Sequence, residues 1–168
     1  MLKECIKFSS IFAAVSLLAG CASPDMYKPP SATITQGTTV KGFSLRKGSF
    51  LSADWINAHV ISLDNKSISY PFFSDDYSSY KIPVTPNQPH HITITSQFNH
   101  GFSDDGPYGA TGTVIATFAP GREYTVNAVV NNGKVNMWIQ TQNGKKASSV
   151  ASAPYQILPK DETIIISN

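Results

Sequence analysis

From Ala32 onward, apolar residues recur at every second position rather than at every third or fourth. Ile92, Ile94 and Phe98 alternate with Thr93, Thr95 and Gln97, and Val114, Ala116 and Phe118 repeat the pattern after Thr111 and Gly112. Period two places side chains alternately on the two faces of a strand, so each run predicts a strand with one buried face. No window of a dozen residues carries a helical period. The clearest unit is a hairpin of residues 124–130 and 135–139 around Asn131-Asn132-Gly133-Lys134. Asn132-Gly133 suits a two-residue type I′ turn, which pairs Asn131 with Lys134 and sets Val130 against Val135, Ala128 against Met137 and Val126 against Ile139. All the apolar partners then share one face, an arrangement that a slip of one residue destroys. On the other face Asn127 opposes Trp138. A second hairpin, 55–63 with 67–70 across Asp64-Asn65, sets Ile61 against Ile68 and His59 against Tyr70. Turns are expected at Pro120-Gly121 and Asn143-Gly144, and residues 155–158 and 163–166 each read as a closing strand. Strands spaced by turn signals every ten residues or so predict an all-β fold, an antiparallel β-sandwich or small barrel of about seven to nine short strands.

The first 21 residues follow a different logic. Lys3 and Lys7 flank the apolar run Ile11-Phe12-Ala13-Ala14-Val15-Ser16-Leu17-Leu18, which leads through Ala19-Gly20 to Cys21. Basic flank, short apolar core and small-residue exit make a secretory signal. The run is well short of the ~20 residues that cross a bilayer as a helix. Leu18-Ala19-Gly20-Cys21 resembles the lipobox of bacterial lipoproteins. That resemblance implies removal of residues 1–20 and acylation of Cys21 on its sulfur and its new amino terminus. Stable anchoring takes at least two acyl chains, so the protein is expected to be held on a membrane through Cys21 without spanning it. Ala22 stands where an aspartate would retain an enteric lipoprotein at the inner membrane, which favours the outer membrane; of its two faces, which the sequence does not distinguish, the periplasmic one is favoured. Residues 21–31, with Pro24, Pro29 and Pro30, read as a tether that can hold the body ~30 Å from the lipid. Residues 32–168 read as a single domain.

Removing the signal takes Lys3, Lys7 and Glu4 from totals of 13 basic and 11 acidic residues, leaving 11 against 10. That balance offers no clustered basic face for nucleic acid. The chain's two cysteines are Cys5 in the signal and Cys21. The expected body therefore has neither disulfides nor cysteine-bound metal. Adjacent His90 and His91 point to opposite faces of a strand and do not share a metal. His59 and His100 show no ligand spacing, so neither metal nor cofactor is expected.

Residues 85–94, with Thr85-Pro86-Asn87-Gln88-Pro89, and residues 118–126, with Phe118-Ala119-Pro120-Gly121, resemble the turn-then-strand units of PEGA-like and transthyretin-like β-sandwich modules in bacterial lipoproteins. The resemblance spans roughly residues 55–142, with Asn87 in place of the usual glycine. It implies a fold and no chemistry.

Two stretches are candidates for binding. Residues 70–80, Tyr70-Pro71-Phe72-Phe73-Ser74-Asp75-Asp76-Tyr77-Ser78-Ser79-Tyr80, combine the densest aromatic cluster with carboxylates. Tyr77, Tyr80, Asp75 and Asp76 can hold a sugar there, although aromatic side chains also serve ordinary packing at the wet edge of a core. Residues 99–110 form the longest turn-rich stretch and offer Asp104, Asp105 and Tyr108 beside a long hairpin loop. Neither carboxylate pair has the spacing of a calcium loop or the separation of a glycosidase pair. No nucleophile elbow occurs, and serines lie scattered in polar loops. The expected function is accordingly a non-enzymatic envelope lipoprotein that engages another envelope protein. A glycan- or peptidoglycan-binding module built on residues 70–80 is the alternative, and a small periplasmic hydrolase a remote third.

Overall fold

Alternation of buried and less buried positions is the rule along residues 89–100, 123–131 and 134–141. The structure, a computed structural model, describes residues 25–46, 54–71, 77–101 and 105–159. One short helix, α1 (Ala32–Thr35), precedes eleven strands. They are β1 (Thr39–Lys41), β2 (Phe43–Arg46), β3 (Asp54–Leu63), β4 (Lys66–Ser67), β5 (Lys81–Pro83), β6 (Pro89–His100), β7 (Tyr108–Thr117), β8 (Glu123–Asn131), β9 (Lys134–Thr141), β10 (Ala151–Pro154) and β11 (Gln156–Ile157). Their number exceeds the seven to nine expected because short edge segments, β4 and β11 of two residues each, carry too few positions to show a period.

Two open sheets face each other, so the fold is the sandwich and not the barrel. One has the order β10-β9-β8-β1-β5, the other β11-β7-β6-β3-β2, with β4 paired to β3. All pairings are antiparallel except β1 with β8, which run parallel. Between the sheets lies a core that includes Ile92, Ile94 and Phe98 from β6, Val114 from β7, Val126 from β8 and Met137 and Ile139 from β9. Each such side chain contributes roughly 1.5–3 kcal/mol by leaving water, and side chains from the two inner faces interdigitate to fill the space between the sheets.

The β8–β9 hairpin has the register its apolar pattern predicts, with Val130 opposite Val135, Ala128 opposite Met137, Val126 opposite Ile139 and Asn127 opposite Trp138. Asn132 and Gly133 take φ of 48° and 74°, as a type I′ turn requires. Asp64 and Asn65 do the same, at 49° and 64°, between β3 and β4. Beyond that turn the Ile68 N–H donates to the Ile61 carbonyl at 2.9 Å, the facing expected for the second hairpin. Asn87, the residue in the place of a glycine, also has positive φ, 63°.

β1 and β2 are one run of chain that changes sheets at Gly42. A side chain there has no room, since a Cβ on Gly42 lies 2.7 Å from both Cβ and O of Tyr77. β3 contains a bulge between Val60 and Ser62, which lets Ala58, Val60 and Leu63 all reach the core although their spacing breaks strict alternation.

At the end of the sandwich that holds the β3–β4 turn, Asp64 ties two strands together. Its Oδ1 accepts from the His91 N–H at 2.9 Å, and its Oδ2 lies 2.7 Å from His90 Nδ1. His90 Nε2 faces the Thr85 carbonyl oxygen at 2.7 Å, so both nitrogens of this buried ring meet acceptors. The amino-terminal segment docks at the same end. Ser67 N–H donates to the Asp25 carbonyl and Tyr27 N–H to the Ser67 carbonyl, both at 2.8 Å, and the Tyr27 hydroxyl donates to the Pro83 carbonyl at 2.7 Å. Burial, then the nearby Asp64 charge, push that hydroxyl up to about 12. The expected free tether of residues 21–31 is therefore held to the body from Asp25 onward, because Tyr27 packs against the core. Cys21 and residues 163–166 lie outside the described residues.

Candidate functional site

The outward face of the six-stranded sheet gathers aromatic, amide, hydroxyl and guanidinium side chains in one place. Register puts Ser44 beside Asn57 and Arg46 beside Trp55, and on the other side of β3 sets Asn57 beside Gln97 and Trp55 beside Asn99. Since inward positions of β6 are the even-numbered ones from His90 to Phe98, Gln97 and its partners point away from the core. Ser44, Arg46, Trp55, Asn57, Tyr77 and Gln97 line a solvent-open groove of about 340 Å³. The Ser44 hydroxyl donates to Asn57 Oδ1 at 2.8 Å, which orients that amide.

Tyr77 forms one wall, and its position follows from what lies under it. The ring stacks on His59 with centroids 3.6 Å apart and planes 10° from parallel. Tyr70 abuts both rings edge-on, at 5.2 Å from His59 and 5.1 Å from Tyr77. Its hydroxyl donates to the Val60 carbonyl at 2.7 Å. Burial, then the neighbouring Tyr77 and Tyr80, push that hydroxyl well above the usual tyrosine range, against the opposing pull of its bond to Val60. The Gly42 N–H donates to the Tyr77 carbonyl at 3.0 Å, so the sheet-changing glycine also fixes this wall. His59 is 7% exposed, and its Nδ1 is buried with no hydrogen-bond partner. Burial accordingly lowers it from 6.5 to about 4. The imidazole is thus a neutral floor beneath the Tyr77 ring.

The groove's lining residues include one cation, Arg46, and no carboxylate, imidazole or thiol. Such a set offers ring faces, amides, a hydroxyl and a guanidinium. It can stack against an apolar ring face and hydrogen-bond polyol or carboxylate groups, and it holds no pair of groups suited to proton transfer. Among the described residues, no group of three or more His, Cys, Asp or Glu is placed to hold a metal.

Of the residues singled out in the sequence, Tyr77 lines this groove. Tyr80 belongs to a neighbouring packing unit, 5.0 Å from Tyr70 and beside Tyr27, Ile68 and Ile82. Tyr108 turns inward, stacks with Phe98 at 5.5 Å and meets Tyr155 edge-on at 5.3 Å, while Asp105 is exposed. Asp75, Asp76 and Asp104 lie outside the described residues. Ser44, Arg46, Trp55, Asn57 and Gln97 escaped the sequence reading. The available signal was the odd positions of 55–59 and 97, where Trp and amides replace the Thr and Ser of ordinary solvent faces, but only strand pairing brings them together.

The other outward face presents its own tryptophan in a closed state. Trp138 Nε1 donates to Gln140 Oε1 at 3.1 Å, Asn127 donates to the same oxygen at 3.0 Å, and Lys146 Nζ sits 4.8 Å from the ring centroid. Its polar edge and one face are thereby occupied by the protein itself.

Fold and groove together define a β-sandwich that carries, among the described residues, an open, aromatic-walled groove on an outward sheet face. No family model, curated protein or solved structure matches the chain. No helix among the described residues is long and apolar enough to cross a membrane.

Proposed function

We propose that this chain is a lipid-anchored protein of the bacterial envelope whose sandwich binds a glycan in the groove of Trp55 and Tyr77. The observation that carries the reading is the convergence of two aromatic walls, two amides, a hydroxyl and Arg46 on one open groove. Sugar rings stack their apolar faces on aromatic residues while amides and guanidinium take the hydroxyls and any carboxylate. Placement relative to the expected anchor adds support. Asp25 and Tyr27 bond Ser67, whose partner on β3 is Ser62, seven positions from Trp55 along the strand. At about 3.3 Å per residue the groove lies roughly 20 Å from the anchored end. Residues 22–24, by contrast, span at most about 13 Å between Cys21 and Asp25. On this reading the anchor holds one end of the sandwich near the lipid and the groove lies toward the other end, farther from the lipid surface.

The test is titration of the lipidated protein, in detergent, with muropeptides and a panel of neutral and acidic oligosaccharides. Saturable binding that falls at least tenfold in Trp55→Ala and Arg46→Ala, with unchanged unfolding midpoints, is the expected result. Silence across the panel overturns the glycan reading and leaves contact with another envelope protein as the better account. For the anchor, mass spectrometry should find a mature chain starting at an acylated Cys21, and Cys21→Ser should abolish acylation.

A further inference from the structure

Hydrogen-bond donors dominate the outward groove. Asn57 Oδ1 is taken by the Ser44 hydroxyl, which leaves that amide its two N–H donors. Arg46 adds a guanidinium, five donors in a planar fork with no acceptor. It is exposed at the end of β2 and is the one cation in the groove's lining, which holds no carboxylate. Among the described residues no carboxylate forms an ion pair with it. Asp54, next to Trp55 in β3, lines a separate opening with Phe43, Leu45 and Ile56, and lies 3.8 Å from His100 Nδ1. The groove therefore carries a positive charge that the lining does not balance.

Register places that charge beside an aromatic wall. Arg46 and Trp55 are directly opposed on β2 and β3, and side chains so opposed start about 5 Å apart at Cβ. A sugar ring resting on the indole thus brings a substituent on its rim within reach of the guanidinium. The planar fork matches the two oxygens of one carboxylate, an arrangement stronger than a bond between neutral groups. Ring hydroxyls fall to Asn57 and Gln97, which flank the indole on the same face. A neutral sugar leaves the guanidinium without a charged partner, and a ligand with several charges meets a single cation.

We propose that the ligand is an oligosaccharide of the hexuronate class, with its ring on Trp55 and its ring carboxylate paired to Arg46. This inference rests on the glycan reading and narrows it. Trp55 lines both openings, whereas Arg46 lines the outward groove and not the apolar one, so the decisive changes are made at Arg46.

The experiment titrates the full lipidated protein in detergent, at neutral pH, with trigalacturonate, with its methyl ester and with a sulfated neutral trisaccharide. The acid should bind roughly tenfold or more tighter than the ester, the weight of a hydrogen bond to a charged group. That preference should vanish in Arg46→Gln, survive in part in Arg46→Lys, and shrink as salt rises to about 0.5 M, with unchanged unfolding midpoints throughout. Equal binding of acid and ester, both lost in Trp55→Ala, overturns the carboxylate inference and leaves the glycan reading standing. An acid preference undiminished in Arg46→Gln overturns the role of Arg46, and a sulfated sugar binding as tightly as the uronate overturns the carboxylate class in favour of any ring-borne anion. Silence toward acid, ester and neutral oligosaccharides alike overturns both readings.

Discussion

Lowering the pH from 7 to 4 should weaken the fold through His59 in particular, because this imidazole is stored neutral under Tyr77 and Tyr70. Its Nδ1 has no partner that welcomes a proton, and burial holds its titration near 4 against 6.5 for an exposed ring. The unfolded chain therefore takes up the proton first. Stability is fully present above 6.5, declines as pH falls below it, and levels off near 4 once both states are protonated. At about 1.4 kcal/mol per pH unit over that interval, the loss is capped at about 3 kcal/mol. In His59→Phe a ring of similar shape keeps the stack on Tyr77 and has no proton to gain. Urea unfolding followed by tryptophan fluorescence, run on both proteins at half-unit steps from pH 4 to 7, isolates the effect, since every other titrating group is shared and cancels in the difference. The variant should gain on the parent protein by about 2–3 kcal/mol between pH 7 and pH 4. A difference that stays constant within about 0.5 kcal/mol across the range refutes the argument, since His59 then titrates alike folded and unfolded.

Substitutions at three further positions probe the scaffold. Asp64→Ala strips the buried His90 of its Nδ1 partner and should cost about 3 kcal/mol in chemical denaturation, whereas Asp64→Asn, which keeps the turn and an acceptor, should cost clearly less. Gly42→Ala forces a methyl within 2.7 Å of Tyr77. It should destabilise by about 1–3 kcal/mol and weaken ligand binding by displacing the groove wall, measurable by calorimetry and titration. Glu123 bonds Lys41 and Lys81 at 2.8 and 2.5 Å, first through those hydrogen bonds holding its carboxyl below the usual range. Because the site is at the surface, Glu123→Gln should cost under about 1 kcal/mol, and the difference should shrink in 1 M salt.

The features that were readable from sequence share one property, that their cause lies within a few residues. Asn132-Gly133 sets a turn, the turn sets a register, and the register is verified by whether Val126, Ala128 and Val130 meet apolar partners. The same local reasoning found the Asp64-Asn65 turn and the opposite facing of His90 and His91. It did not show that the ring of Tyr108, set between Gly106-Pro107 and Gly109-Ala110, packs on Phe98 and Tyr155, a contact made across strands. It also treated residues 21–31 as free, since a bond such as that from Tyr27 to Pro83, 56 positions away, leaves no mark on local composition.

Alternation along the chain was thus sufficient to determine that this protein is built of strands, which face of the regular strands β6, β8 and β9 turns inward, and how its main hairpin is aligned, because those depend on side-chain period and turn stereochemistry alone. Which strands become neighbours across the sheets was decided by tertiary structure. Parallel β1–β8 pairing, the change of sheet at Gly42 and the bulge at Ile61 all arise where distant segments compete for the same core volume. The groove is a product of that competition. Arg46, Trp55 and Gln97 come from three strands and acquire a joint chemistry only once β2, β3 and β6 lie side by side.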